Sequence, residues 1–119
     1  MDFSAEHRRY GDHTIVTLGG EIDVQTSPRL RELLLKLLED GDRRFVIDLD
    51  GVAFLDSTGL GVLVGLMHRL RAVEGSMVFT GANERIRGIF HVTQLSRVFT
   101  VYETLDEALG EGGGEVNPP

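Results

Sequence analysis

Three short, almost wholly apolar runs constrain this chain most. They are Phe45-Val46-Ile47-Asp48-Leu49, Met77-Val78-Phe79 and Val98 to Tyr102. Each reads as a strand, and the first has the near-continuous apolar character of a strand buried on both faces. Between them lie segments of helical period. Leu30, Leu33, Leu34, Leu37 and Leu38 form one apolar face, and Leu60, Leu63, Val64, Met67 and Leu70 form another. Strands alternating with helices predict right-handed crossovers and a largely parallel sheet.

Local signals set the remaining elements. Gly11-Asp12 parts two extended runs, Phe3 to Tyr10 and His13 to Leu18, and so predicts a tight hairpin. Ser27-Pro28 suits a helix cap and first turn, and Gly41 suits that helix's end. Asn83 can cap a third helix bearing Ile86, Ile89 and Phe90. Thr104-x-x-Glu107 is a capping-box pattern ahead of Leu105, Ala108 and Leu109. The predicted order is ββαβαβαβα: one α/β domain over residues 1–109, with four to five mostly parallel strands, an N-terminal hairpin and about four helices. The segment 110–119, Gly-Glu-Gly-Gly-Gly-Glu-Val-Asn-Pro-Pro, has little to bury and is expected to be a disordered tail.

Composition narrows the function. The 119 residues are 41% hydrophobic and 26% charged, enough for a core. A net charge of −7 without a basic stripe argues against direct nucleic-acid binding. The absence of cysteine removes disulfides, thiolate zinc sites and cysteine nucleophiles. Met1 to Glu6 is polar and acidic, unlike a secretory signal. The apolar stretch from Leu60 to Met67 falls well short of the ~20 residues that span a bilayer. The expectation is a cytoplasmic domain with no membrane partner.

Ligands of parallel sheets gather at the carboxyl ends of strands. Two such loops are expected, Gly19 to Ser27 and Asp50 to Ser57, which become neighbours if their strands are adjacent. The second ends in Leu55-Asp56-Ser57-Thr58-Gly59-Leu60-Gly61, with Ser57 at or beside a helix N-terminus. Free N–H groups and the positive end of the helix dipole collect there. A hydroxyl so placed is a cap, a nucleophile or a phosphate acceptor.

The nucleophile needs a base. His7 and His13 fall in the edge hairpin, His68 and His91 in helices, and none is placed near Ser57. Their scatter also argues against a histidine metal site and suits surface or edge positions. Asp48-x-Asp50-Gly51 resembles the first motif of haloacid-dehalogenase-type phosphatases. That chemistry also needs a downstream lysine and metal-binding acids, whereas Lys36 is the only lysine and lies upstream. Gly59-x-Gly61-x-x-x-Gly65 misses dinucleotide spacing by one residue; Gly61 and Gly65 are expected to let their helix pack closely on the sheet. No metal or cofactor is expected. As a phosphate acceptor, Ser57 would receive a dianion at a helix end that tolerates it, among Asp56, Asp23 and Asp50.

Three passages carry a family resemblance: Gly20-Glu21-Ile22-Asp23, Phe54 to Gly61, and Arg85-Ile86-x-x-Ile89-Phe90 followed by Leu95 and Val98-Phe99. Together they resemble STAS domains of the anti-sigma factor antagonist type, over about Phe3 to Leu109. The resemblance implies a regulator rather than an enzyme. It implies binding to an anti-sigma factor that is also a serine kinase of the GHKL ATPase type, so that the sigma factor is freed. It implies phosphorylation of Ser57, with Thr58 as the fallback acceptor, and reversal by a PP2C-type phosphatase. Asp23, Asp56, Ser57, Thr58, Gly59, Leu60 and Gly61 are the implied partner-facing residues. The alternative is a STAS scaffold that senses a small molecule or nucleotide without sigma-factor control.

Overall fold

The computed structural model describes residues 2–112. Its elements are β1 (Ser4–Tyr10), β2 (His13–Ile22), α1 (Ser27–Glu39), β3 (Arg44–Leu55), α2 (Ser57–Ala72), β4 (Ser76–Thr80), α3 (Glu84–Val92), β5 (Thr100–Tyr102) and α4 (Leu105–Gly112). A 3₁₀ turn, Leu95–Arg97, precedes β5. The sheet runs β1-β2-β3-β4-β5 in space, as in sequence. β1 and β2 are antiparallel and the other neighbours are parallel. The predicted order ββαβαβαβα holds.

Val16, Leu18 and Ile22 of β2, Phe45, Ile47 and Leu49 of β3 and Phe79 of β4 share the main core. Leu30, Leu34 and Leu37 of α1 join it with Leu63, Leu66 and Leu70 of α2 and Ile86 and Phe90 of α3. Phe79, Phe90 and Phe99 pack ring on ring, with centroids 4.7 to 5.4 Å apart. The opposite face of the sheet is covered by α4, where Ala108 packs with Ile15 and Val46. The capping box that starts α4 is formed: Thr104 Oγ1 accepts from Glu107 N–H at 3.1 Å, and Glu107 Oε1 accepts from Thr104 N–H at 3.2 Å.

Several expectations need correction. β2 continues to Ile22 and β3 to Leu55, so much of both expected loops is strand. Register shifts at Thr17/Gly19 and Gly20/Glu21 let the pairing resume, with Gly19 opposite Gly51. Glycine eases the close approach there, because a Cβ on Gly51 would stand 3.2 Å from the Leu18 carbonyl oxygen. As a result Asp48 and Asp50 lie within β3 and not at its carboxyl end. The last strand starts at Thr100, because Leu95–Arg97 coils first and drives Phe99 into the core.

Thr26, not Ser27, holds the cap position of α1, and Ser27 is buried in the first turn. On α2 the buried positions are Gly59, Leu63, Leu66 and Leu70; Leu60, Val64 and Met67 are only partly buried. Gly61 and Gly65 face open space rather than the sheet. His13 is buried at 8% exposure, and its Nε2 has no hydrogen-bond partner among the described residues. The expected tail from Gly113 onward lies outside the described residues, and Gly110 belongs to α4.

Candidate functional site: the mouth of helix α2

Ile22 and Leu55 end β2 and β3 side by side in register. Asp56 N–H then donates to the Ile22 carbonyl at 3.1 Å, fastening the start of α2 to both strands. Asp56 is the cap, with extended backbone (φ −102°, ψ −173°). Its Oδ1 accepts from Thr58 N–H at 2.9 Å, Gly59 N–H at 3.1 Å and the Thr58 hydroxyl at 2.5 Å. Its own carbonyl accepts from Leu60 N–H at 2.9 Å. Three of the helix-start donors, the N–H groups of Asp56, Thr58 and Gly59, are therefore satisfied within the chain.

Ser57 occupies the first helical position and is exposed. The capping role open to it in the sequence belongs to Asp56. Its hydroxyl has no hydrogen-bond partner among the described residues, while the adjacent Thr58 hydroxyl is committed to Asp56. The two candidate acceptors thus differ in availability. The N–H groups of Thr58 and Gly59, expected to be free to receive a phosphate, are already occupied by Asp56.

The Thr58 hydroxyl, followed by the backbone N–H groups, holds the Asp56 carboxyl below the usual carboxylate range. Asp56 is thus anionic at neutral pH beside Ser57.

Asp23 lies just beyond the end of β2, on the neighbouring loop. Its Oδ1 accepts from Gln25 N–H at 2.9 Å and Thr26 N–H at 3.1 Å, and its carbonyl accepts from Ser27 N–H at 2.7 Å. The carboxylate shapes its own turn into α1. Gly59 packs inward, where a Cβ would stand 2.5 Å from Ile22 Cγ2 and 2.7 Å from Leu55 Cδ1. It lets α2 start directly against the two strand ends. Leu60 is half-buried and Gly61 is exposed.

Two side chains add to this picture. Val24, beside Asp23, is 68% exposed, and Phe54, two residues before Asp56, is 38% exposed. Sequence reasoning took neither as a site residue. The signal present was an apolar residue close to the carboxyl end of each strand.

His13 begins β2 at the end of the strand remote from Ile22, so no histidine of that strand serves Ser57. Among the described residues, no group of three or more histidine or acidic side chains is placed to hold a metal ion, and no helix is long and apolar enough to cross a membrane.

The STAS domain family matches residues 4–108, nearly all of the described chain. The chain belongs to the STAS-domain anti-sigma factor antagonist family. It is 38% identical over 88 residues to the anti-sigma-B factor antagonist of Staphylococcus aureus, covering 74% of this chain and 82% of that protein. Among solved structures, an anti-sigma factor antagonist from Mycobacterium paratuberculosis superposes with a TM-score of 0.84 at 30% identity, covering 91% of this chain and 92% of that one. The Bacillus cell fate determinant SpoIIAA in its phosphorylated form has the same fold, with a TM-score of 0.72 at 23% identity and coverage of 91% and 96%.

Proposed function

We propose that this STAS domain is an anti-sigma factor antagonist switched by phosphorylation of Ser57. Unphosphorylated, it binds an anti-sigma factor that is also a serine kinase of the GHKL ATPase type, and the sigma factor is freed. The kinase phosphorylates Ser57 and the complex falls apart; a PP2C-type phosphatase restores the binding form. The chain is a substrate and binding module acting in the cytoplasm, not an enzyme. Asp23, Asp56, Ser57, Thr58, Leu60 and Gly61 belong to the partner-facing end, with Gly59 beneath it.

One observation carries this reading. At the mouth of α2 the Ser57 hydroxyl is exposed and has no partner among the described residues, whereas Thr58 is held by Asp56. Relatives named as antagonists support the same assignment, and SpoIIAA has been solved in unphosphorylated and phosphorylated forms.

The switch follows from charge. A phosphoserine carries about −1.5 to −2 charges. On Ser57 it would stand beside the Asp56 carboxylate, with the Thr58 and Gly59 N–H groups already taken. Covering that charge with a partner, without a paired cation, costs several kcal/mol, and each ~1.4 kcal/mol is tenfold in affinity. Incubation with a cognate kinase and ATP, followed by mapping of the phosphate by mass spectrometry, tests the assignment. Phosphate on Ser57 is expected; an unmodified chain with an active kinase contradicts it.

A further inference from the structure

Gly61 and Gly65 stand one turn apart on α2, and apart from chain neighbours and the adjoining helix backbone no described atom lies within 4 Å of where a Cβ would be on either. The fold therefore does not need glycine at these positions. Glycine inside a helix is also less stable than alanine there. Gly88 of α3 shares the open surroundings but stands alone; the α2 pair opens into a groove.

That groove, about 280 Å³, runs between α1 and α2. Leu34 and Leu35 of α1 and Val62 and Leu66 of α2 form its apolar lining. Its charged lining residues are Arg31 on α1 and Arg69 on α2, with no carboxylate. The whole of α2 carries no Asp or Glu, in a chain whose net charge is −7. Thr58 lines one end, so the groove reaches the residue next to Ser57. From Thr58 to Arg69 it extends about 16 Å along α2, enough for three turns of another helix.

We propose that this groove docks an acidic amphipathic segment of the anti-sigma factor. The bare backbone of Gly61 and Gly65 admits a second backbone at close range, the leucines and Val62 take its apolar side chains, and Arg31 and Arg69 face its carboxylates. This inference rests on Ser57 facing that partner, and it brings α1 into the interface.

The test measures affinity of the full chain for a cognate anti-sigma factor, defined as the protein that phosphorylates Ser57, with melting temperature recorded alongside. Gly65→Ala should raise the melting temperature and yet weaken binding. Arg31→Glu with Arg69→Glu should weaken it by about tenfold or more, and the loss should shrink at high salt. A stabilised but weaker-binding Gly65→Ala variant cannot be explained by misfolding. Unchanged affinity in both variants, with Ser57 still phosphorylated, overturns the groove and leaves the switch standing. Failure of the wild-type chain to bind any such kinase overturns both. Self-association of the wild type, lost in Gly65→Leu, would assign the groove to a second copy and also overturn it.

Discussion

The Thr58 hydroxyl donates to Asp56 Oδ1 at 2.5 Å, the same oxygen that accepts the Thr58 and Gly59 N–H groups. One carboxylate oxygen thereby closes the mouth of α2 and holds one hydroxyl, while the hydroxyl of neighbouring Ser57 has no partner among the described residues. Asp56→Ala should destabilise the fold by about 1 kcal/mol, the usual cost of a lost helix cap. Urea unfolding checks this, and Asp56→Asn, which can still cap, should recover most of the loss.

Acid should weaken the fold through the same group. The Asp56 carboxyl is lowered from its ordinary value of 3.8, chiefly by the Thr58 hydroxyl. Asp42 is lowered as well, chiefly by the paired hydrogen bonds from Arg9, at 2.9 and 2.7 Å. A carboxyl depressed in the folded state contributes stability that is fully present above its unfolded pKa and is lost as pH falls through the folded one. The urea midpoint should therefore hold near neutrality and decline below about pH 4. Asp56→Asn, which no longer titrates at this position, should show a shallower acid limb than the wild type.

Gly59 tests how α2 meets the strand ends. A methyl group there would meet Ile22 Cγ2 and Leu55 Cδ1 at 2.5 and 2.7 Å. Gly59→Ala should thus cost about 1–3 kcal/mol through overpacking, despite alanine's better helix propensity. Thermal unfolding should show a lower midpoint; an unchanged or higher one would mean the strand ends can yield.

The order of elements was legible because each boundary has local chemistry. Asn83 caps α3 through its Oδ1, which accepts from Ile86 N–H at 2.9 Å, and the Thr104/Glu107 box opens α4. What could not be read locally depends on partners distant in sequence. The extension of β2 and β3 rests on Gly19 meeting Gly51 across two register shifts. The face of α2 was ambiguous because Leu60 to Met67 is apolar nearly all round, so period alone did not separate Val64 from Leu66. Around the site, Asp56 and Ser57 are both good capping residues. Only the backbone turn at Asp56 assigns the cap and leaves the serine hydroxyl without a partner among the described residues.

That correction on α2 has its own measurement. Leu66 is 2% exposed and belongs to the main core, while Val64 is only partly buried. Leu66→Ala should cost about 2–5 kcal/mol, and Val64→Ala clearly less. Chemical denaturation of the two variants would show which residue faces the core, and a larger loss at Val64 would reverse the assignment.

The central claim is that charge placed on Ser57 separates this chain from its kinase. The direct measurement is dissociation of the preformed complex on addition of ATP, for the wild type and for Ser57→Ala. The wild-type complex should come apart as phosphate appears on Ser57. The Ser57→Ala complex should form normally and persist in ATP, and Ser57→Asp should bind weakly from the start. Release of Ser57→Ala by ATP at the wild-type rate would contradict the account.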